Sequence, residues 1–145
     1  MTPSRPPVDD TVVDTSAIIA MLLGEAVGLN IARALSASTS AVMSAATRTE
    51  LGIVAEARSG PDAPAHLQSL LDDAGIDVIP LDGHGAKRAV DSWRRYGKGR
   101  HPAGLNFVDC FTHALAANFE LPILCVGDDF SRTDVEVVDL SRWGL

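Results

Sequence analysis

The stretch Asn106-Phe107-Val108-Asp109-Cys110-Phe111-Thr112-His113-Ala114-Leu115-Ala116-Ala117-Asn118-Phe119, followed closely by Pro122-Ile123-Leu124-Cys125-Val126-Gly127-Asp128-Asp129, decides the fold class. The first part is long and apolar enough for a largely buried helix opened by Asn106. The second is a short continuous apolar run closed by a Gly-Asp-Asp turn. That is the pattern of a strand covered on both faces. A helix feeding a doubly buried strand is the repeating unit of a parallel α/β sheet, because parallel strands need a long crossover.

The same alternation runs outward. A β-branched run at 11–13 ends at Asp14, and a helix is predicted over 16–23 with Ser16 as N-cap. Helices follow at about 27–35, 45–58 and 63–74, with strands at 38–43 and 76–79. Gly60-Pro61 stops the helix before it. A helix over about 84–96 has Ala86, Ala89, Val90 and Trp93 on one face, and a last strand is predicted at 135–138. The pattern predicts an α/β sandwich with a mostly parallel central sheet. Residues 1–10, with three prolines in the first seven, read as a flexible tail, and 11–145 as a single domain.

Composition narrows the class. The chain has 145 residues, 46% hydrophobic and 21% charged, enough for a globular core. No run reaches the roughly 18 apolar residues of a membrane span, and the first residues lack the apolar core of a signal peptide. Cys110 and Cys125 lie in apolar segments and read as buried thiols, so a cytoplasmic location is expected. The net charge of −7 argues against a broadly basic nucleic-acid binder.

Several acids stand where apolar residues are expected. Asp14 ends the first strand, Glu50 shares a helical stripe with Ala46, Ile53 and Ala57, and Asp109 is the only acid between Leu105 and Phe119. Asp128 and Asp129 follow the strand over 122–126. In a parallel sheet, strand C-termini and the helix starts beyond them converge on one crevice. Half-buried carboxylates without adjacent cations repel and desolvate one another. A hard divalent cation relieves that, and Mg²⁺ or Mn²⁺ takes oxygen ligands from as few as two carboxylates. Each acid also has a plain structural reading. Asn106-x-x-Asp109, Thr47-x-x-Glu50 and Ser131-x-x-Asp134 all match the capping-box pattern, and Asp14 fits an Asx turn. Together at one edge, the acids favour a site.

Three motifs in order, Val12-Val13-Asp14-Thr15-Ser16-Ala17, Leu105 to Ala116 and Pro122 to Phe130 with Thr133-Asp134-Val135, resemble the PIN-domain ribonucleases, and among them the VapC-type toxins of bacterial toxin–antitoxin pairs. The resemblance covers about residues 12–139. It implies a PIN-like three-layer sandwich and a Mg²⁺- or Mn²⁺-dependent endoribonuclease acting on RNA, with transfer RNA or ribosomal RNA as target. By that match Asp14, Glu50 and Asp109 are the first three catalytic acids. Asp128 is the fourth, with neighbouring Asp129 able to take the role. All five are candidate metal ligands. Thr15, Ser16 and Asn106 match polar residues beside the site. The resemblance also implies a homodimer and a VapB-type antitoxin partner. Val108 stands where many relatives have Gly, and Val126 where many have Lys.

Six of the 12 basic residues, Lys87, Arg88, Arg94, Arg95, Lys98 and Arg100, fall within 14 positions and form a candidate RNA-contact patch. Lys87, Arg94 and Lys98 share a helical stripe opposite Val90 and Trp93, and Asp91 is placed to pair with Lys87 or Arg95. His113 follows Asp109 by one turn and is placed to contact a phosphate or tune that acid, while a hydrogen-bonded helix histidine is the favoured reading. Trp93, Phe107 and Phe111 read as core aromatics. The helix pair from Ile18 to Leu35 is apolar enough to offer a dimer or antitoxin surface as well as core. The four His and two Cys lack zinc spacing. A non-catalytic PIN-fold interaction module is the main alternative. A phosphoaspartate phosphatase or receiver fits less well, since Asp14-Thr15-Ser16 lacks a second Asp two positions on.

Overall fold

The computed structural model describes residues 10–144. The strands are β1 Asp10–Val13, β2 Ser40–Ser44, β3 Ile76–Ile79 and β4 Ile123–Leu124. The helices are α1 Thr15–Leu22, α2 Gly28–Ala37, α3 Ala45–Ser59, α4 Ala63–Asp73, α5 Gly83–Tyr96 and α6 Phe107–Phe119. Short 3₁₀ turns occupy Phe130–Arg132 and Leu140–Trp143. The sheet order is β3-β2-β1-β4, and every pairing is parallel. Helices cover both faces, as the α/β sandwich requires.

The strand period of two sorts the core. Val13 and Leu124 face one side with Ile18, Ile31, Met43, Leu51, Leu67 and Leu71. Val12 and Ile123 face the other with Leu105, Cys110, Ala116 and Phe130. All of these are buried, so β1 and β4 are covered on both faces. Gly28 lets α2 press on α1, since a Cβ there would lie 3.2 Å from the Ala20 carbonyl oxygen.

Several expectations are corrected. The proposed strand over 122–126 is only two residues long, and 135–138 contributes a single bridge, Ile123 to Val137. The backbone bonds from Ile123 N to Glu136 O and from Val138 N to Ile123 O mark where that segment joins the sheet edge. The N-cap of α1 is Asp14, not Ser16. On α5 the buried residues are Ala89 and Ser92, while Val90 and Trp93 are 44% and 45% exposed. Phe107 is 77% exposed and packs edge-on against Phe111; of the three aromatics expected in the core, only Phe111 packs partly against it. Of the tail over 1–10, residues 1–9 lie outside the described residues, and Asp10 already belongs to β1.

Candidate metal centre

The acids stand where the parallel topology delivers strand ends. β1 terminates at Val13, and Asp14 caps α1 from an extended backbone. Its Oδ2 accepts from the Ser16 amide at 3.1 Å and the Ser16 hydroxyl at 2.7 Å. Ser16 Oγ in turn accepts from the Val126 amide at 2.9 Å, which ties the first acid to the end of β4. The next residue, Thr15, donates to Glu50 Oε1 at 2.7 Å and brings α3 to the same edge.

Asp109 is fixed from its own helix. Its amide donates to Asn106 Oδ1 at 2.8 Å, and its Oδ2 accepts from the Asn106 amide at 3.0 Å, a complete capping box. The structural and the functional readings of this acid therefore coexist. Beneath, a buried hydroxyl seam locks α3 to α6. Ser44 Oγ caps α3 by accepting from the Thr47 amide at 3.0 Å, and Thr47 Oγ1 lies 2.9 Å from Thr112 Oγ1. This seam was missed in the sequence. Thr47-x-x-Glu50 looked like a capping box, whereas the cap is Ser44 and Thr47 is interior. The available signal was a serine directly after the apolar run Ala41-Val42-Met43 and directly before the helix formers Ala45-Ala46.

The pocket is electrostatically unbalanced. Asp14 is 6% exposed, and burial raises its pKa against the hydrogen bonds from Ser16 that lower it. Asp109 is pushed up to about 6, first by burial, then by the neighbouring charges of Asp14, Asp129 and Glu50, despite the Asn106 amide. The Cys125 thiol is pushed up to about 12 by burial and by Asp14, Asp109 and Asp129. Both cysteines are buried and free, burial raises the Cys110 thiol as well, and thiols so placed are inert.

Asp129 therefore belongs to the charged set with Asp14, Glu50 and Asp109. Asp128 is turned away from it: its Oδ2 accepts from Arg132 at 3.0 Å on the surface. Among the described residues no three His, Cys, Asp or Glu enclose an ion by themselves. The donor set still suits a cation that keeps most of its waters, because such ions need only one or two direct carboxylates. Hydrogen bonds commit one oxygen of Asp109 and leave the other to a cation.

His113 does not reach Asp109. It is buried between Ser92 and Asp134, which removes it from the pocket's polar contacts. The basic segment is also partly engaged. Arg94 pairs with Asp91 at 2.6 Å, and Arg95 with Asp134 at 3.1 Å, so the expected Asp91 pairing with Lys87 or Arg95 is replaced. Arg100 donates to the Arg94 carbonyl and lies over the Trp93 ring at 4.6 Å. Lys87, Arg88 and Lys98 are exposed.

Comparison with known proteins identifies the family. The PIN domain family matches residues 11–136. Ribonuclease VapC36 of Mycobacterium tuberculosis is 43% identical over 126 residues, covering 86% of this chain and 91% of its own length. Ribonuclease VapC30 of the same species is 40% identical over 129 residues, covering 89% and 98%. Among solved structures, M. tuberculosis VapC20, described as a sarcin-ricin loop cleaving toxin, superposes with a TM-score of 0.72 at 18% identity over 88% of this chain and 98% of that one. A toxin–antitoxin complex from Klebsiella pneumoniae gives 0.65 at 19% identity, over 90% and 97%. Sequence relationship over nearly the full fold, and an acid set at the predicted sheet edge, place the chain in the PIN-domain family, on its VapC ribonuclease branch.

Proposed function

We propose that the chain is the RNA-cleaving toxin of a type II toxin–antitoxin pair, an endoribonuclease that needs Mg²⁺ or Mn²⁺. Its VapC relatives support the RNA-cleaving hydrolase. The observation that carries the cation dependence is Asp109: a carboxyl held at about 6 beside three more acids, with no cationic side chain paired to it. Asp14 and Asp109 would hold the ion. Glu50, oriented by Thr15, and Asp129 would complete the acidic wall and orient water. When bound, a divalent cation activates a water and offsets charge on the leaving oxygen of a phosphodiester. Asn106 and Ser16 each fix one acid so that its rotamer is set before any ligand arrives. Asp128 serves the loop through Arg132, and we assign the fourth role to Asp129.

RNA would approach with its backbone along Lys87, Arg88, Lys98 and Arg100. Arg94 and Arg95 are already paired and contribute less. Transfer RNA or ribosomal RNA is the proposed substrate class, in keeping with the description of the VapC20 structure. A VapB-type antitoxin is the proposed partner, supported by the toxin–antitoxin complex among the structural neighbours. The apolar groove of Met21, Ala32, Leu35, Leu70 and Ala74 between α1, α2 and α4 suits a helical segment of such a protein. A homodimer is proposed from the exposed Leu81 and Phe119, which flank the groove of Ile79, Pro80, Phe111 and Leu115. No helix among the described residues is long and apolar enough to cross a membrane. Two buried free thiols support a cytoplasmic setting.

Induction of the wild-type chain and of Asp14→Asn, followed by mapping of RNA 5′ ends, tests the activity. Asn still caps a helix, so the fold is kept. New 5′ ends are expected at a small set of sites with the wild type only. Identical ends with Asp14→Asn would remove the acid from the mechanism.

A further inference from the structure

His113 is 1% exposed, and both ring nitrogens are committed. Nδ1 lies 2.7 Å from Ser92 Oγ on α5, and Nε2 lies 2.9 Å from Asp134 Oδ1. Asp134 Oδ2 also accepts from Arg95 at 3.1 Å. A carboxylate only accepts, so Nε2 carries the ring proton and Nδ1 accepts from the Ser92 hydroxyl. The set has the membership of a nucleophile triad, but Ser92 is 4% exposed and its proton points at the ring, so it attacks nothing.

What the chain of bonds holds is the segment after β4. Asp129 opens the 3₁₀ turn, and Phe130 is plugged into the core at 3% exposure. Thr133 Oγ1 donates to the Phe130 carbonyl at 2.7 Å and accepts from the Val135 amide at 3.3 Å. Asp134 is the far anchor. Asp129 itself is exposed, and no side-chain hydrogen bond fixes it as Asn106 fixes Asp109. Its direction is therefore set by the anchors on its own segment.

We propose that His113 is a positioning residue for Asp129: the Ser92–His113–Asp134 chain pins the 129–134 segment to α5 and α6 so that the fourth acid faces Asp109. This rests on the acid pocket being a cation site. A positioning partner of this kind, lost, weakens metal binding by about tenfold or more. It also explains a buried imidazole one turn from the pocket that takes no part in it.

The test is Mn²⁺ titration calorimetry on the full chain, with Asp134→Ala and His113→Phe as disrupting variants and His113→Gln as the conservative one. The Asp134 side chain is about half exposed, so water can take its place at His113 Nε2, and its truncation is compatible with folding even where His113→Phe is not. Asp134→Ala is expected to weaken Mn²⁺ binding about tenfold and to speed amide exchange over 129–134. In His113→Gln the amide nitrogen replaces the Nε2 donor, and most of the affinity is expected to return. Asp129→Asn should cost a similar factor, and combining it with Asp134→Ala should add little, because both act through one carboxylate. Unchanged Mn²⁺ affinity in a folded Asp134→Ala, or full additivity with Asp129→Asn, overturns the proposal. Failure of the underlying site reading looks different: the wild type binds no Mn²⁺, or Asp109→Asn binds it as well as the wild type.

Discussion

Asp109 and Asp134 are the same side chain in opposite settings. Asp134 works against some burial, but His113 and Arg95 hold its pKa below the usual carboxylate value. Asp109 has three acids for neighbours and sits at about 6. The contrast extends to the surrounding regions. Along α5 and the 128–134 segment, acids meet cations: Asp91 with Arg94, Asp128 with Arg132, Asp134 with Arg95. Among the described residues, Asp14, Glu50, Asp109 and Asp129 pair with no cationic side chain. The proposed cation would supply from outside the polypeptide the charge that balances these acids. That difference separates a solvated surface from a site.

The largest expected effect comes from removing a pocket acid. Asp14→Asn or Asp109→Asn should lower RNA cleavage by more than the roughly 100-fold that loss of a supporting group costs, read as initial rate on a labelled RNA. The next comes from erasing the contrast itself. Glu50→Lys places a cation among the acids, and Mn²⁺ binding by calorimetry should disappear while the metal-free protein stays folded. Retained Mn²⁺ affinity would mean that the pocket does not rely on external charge.

A smaller effect concerns stability. A carboxyl moved from 3.8 to about 6 costs the folded state about 3 kcal/mol at neutral pH, which access of water to the pocket reduces to about 1–2 kcal/mol. The sign follows from proton uptake: between pH 4 and 6 the folded chain holds a proton that the unfolded chain has lost. Metal-free stability from this group is therefore highest below about 4 and falls as pH rises through about 6. Asp109→Asn should raise the metal-free Tm at pH 7.5 and flatten this dependence in thermal melts. Smallest of all, Asp91→Asn on the surface should change stability by no more than about 0.5 kcal/mol in denaturant unfolding.

Much of this contrast was legible in the sequence. Asp14, Glu50 and Asp109 stood out because each interrupts an apolar pattern, and parallel topology sends strand ends to one edge. The choice between Asp128 and Asp129 was not legible. Adjacent turn residues point differently, and Arg132 four positions on decides which one is captured. His113 is the hydrogen-bonded helix histidine that the sequence favoured, but its partners were not legible. Helical spacing puts it one turn from Asp109, but the ring rotates toward partners from α5 and from the last segment, both distant in sequence. The aromatic positions on α5 and at the start of α6 were read as core because apolar spacing does not reveal which part of a helix its neighbours cover. The short β4 likewise follows from Cys125 and Val126 leaving the ladder, where Ser16 takes the Val126 amide in place of a strand partner.

The central claim is that an external divalent cation completes this acid pocket for RNA cleavage. Its most direct test is cleavage of a labelled RNA by the purified chain, first in excess chelator and then with Mn²⁺ restored, alongside Asp109→Asn. The account predicts no cleavage in chelator, recovery in the wild type on Mn²⁺ addition, and none in the variant. Equal cleavage in chelator, or full recovery by Asp109→Asn, would contradict it.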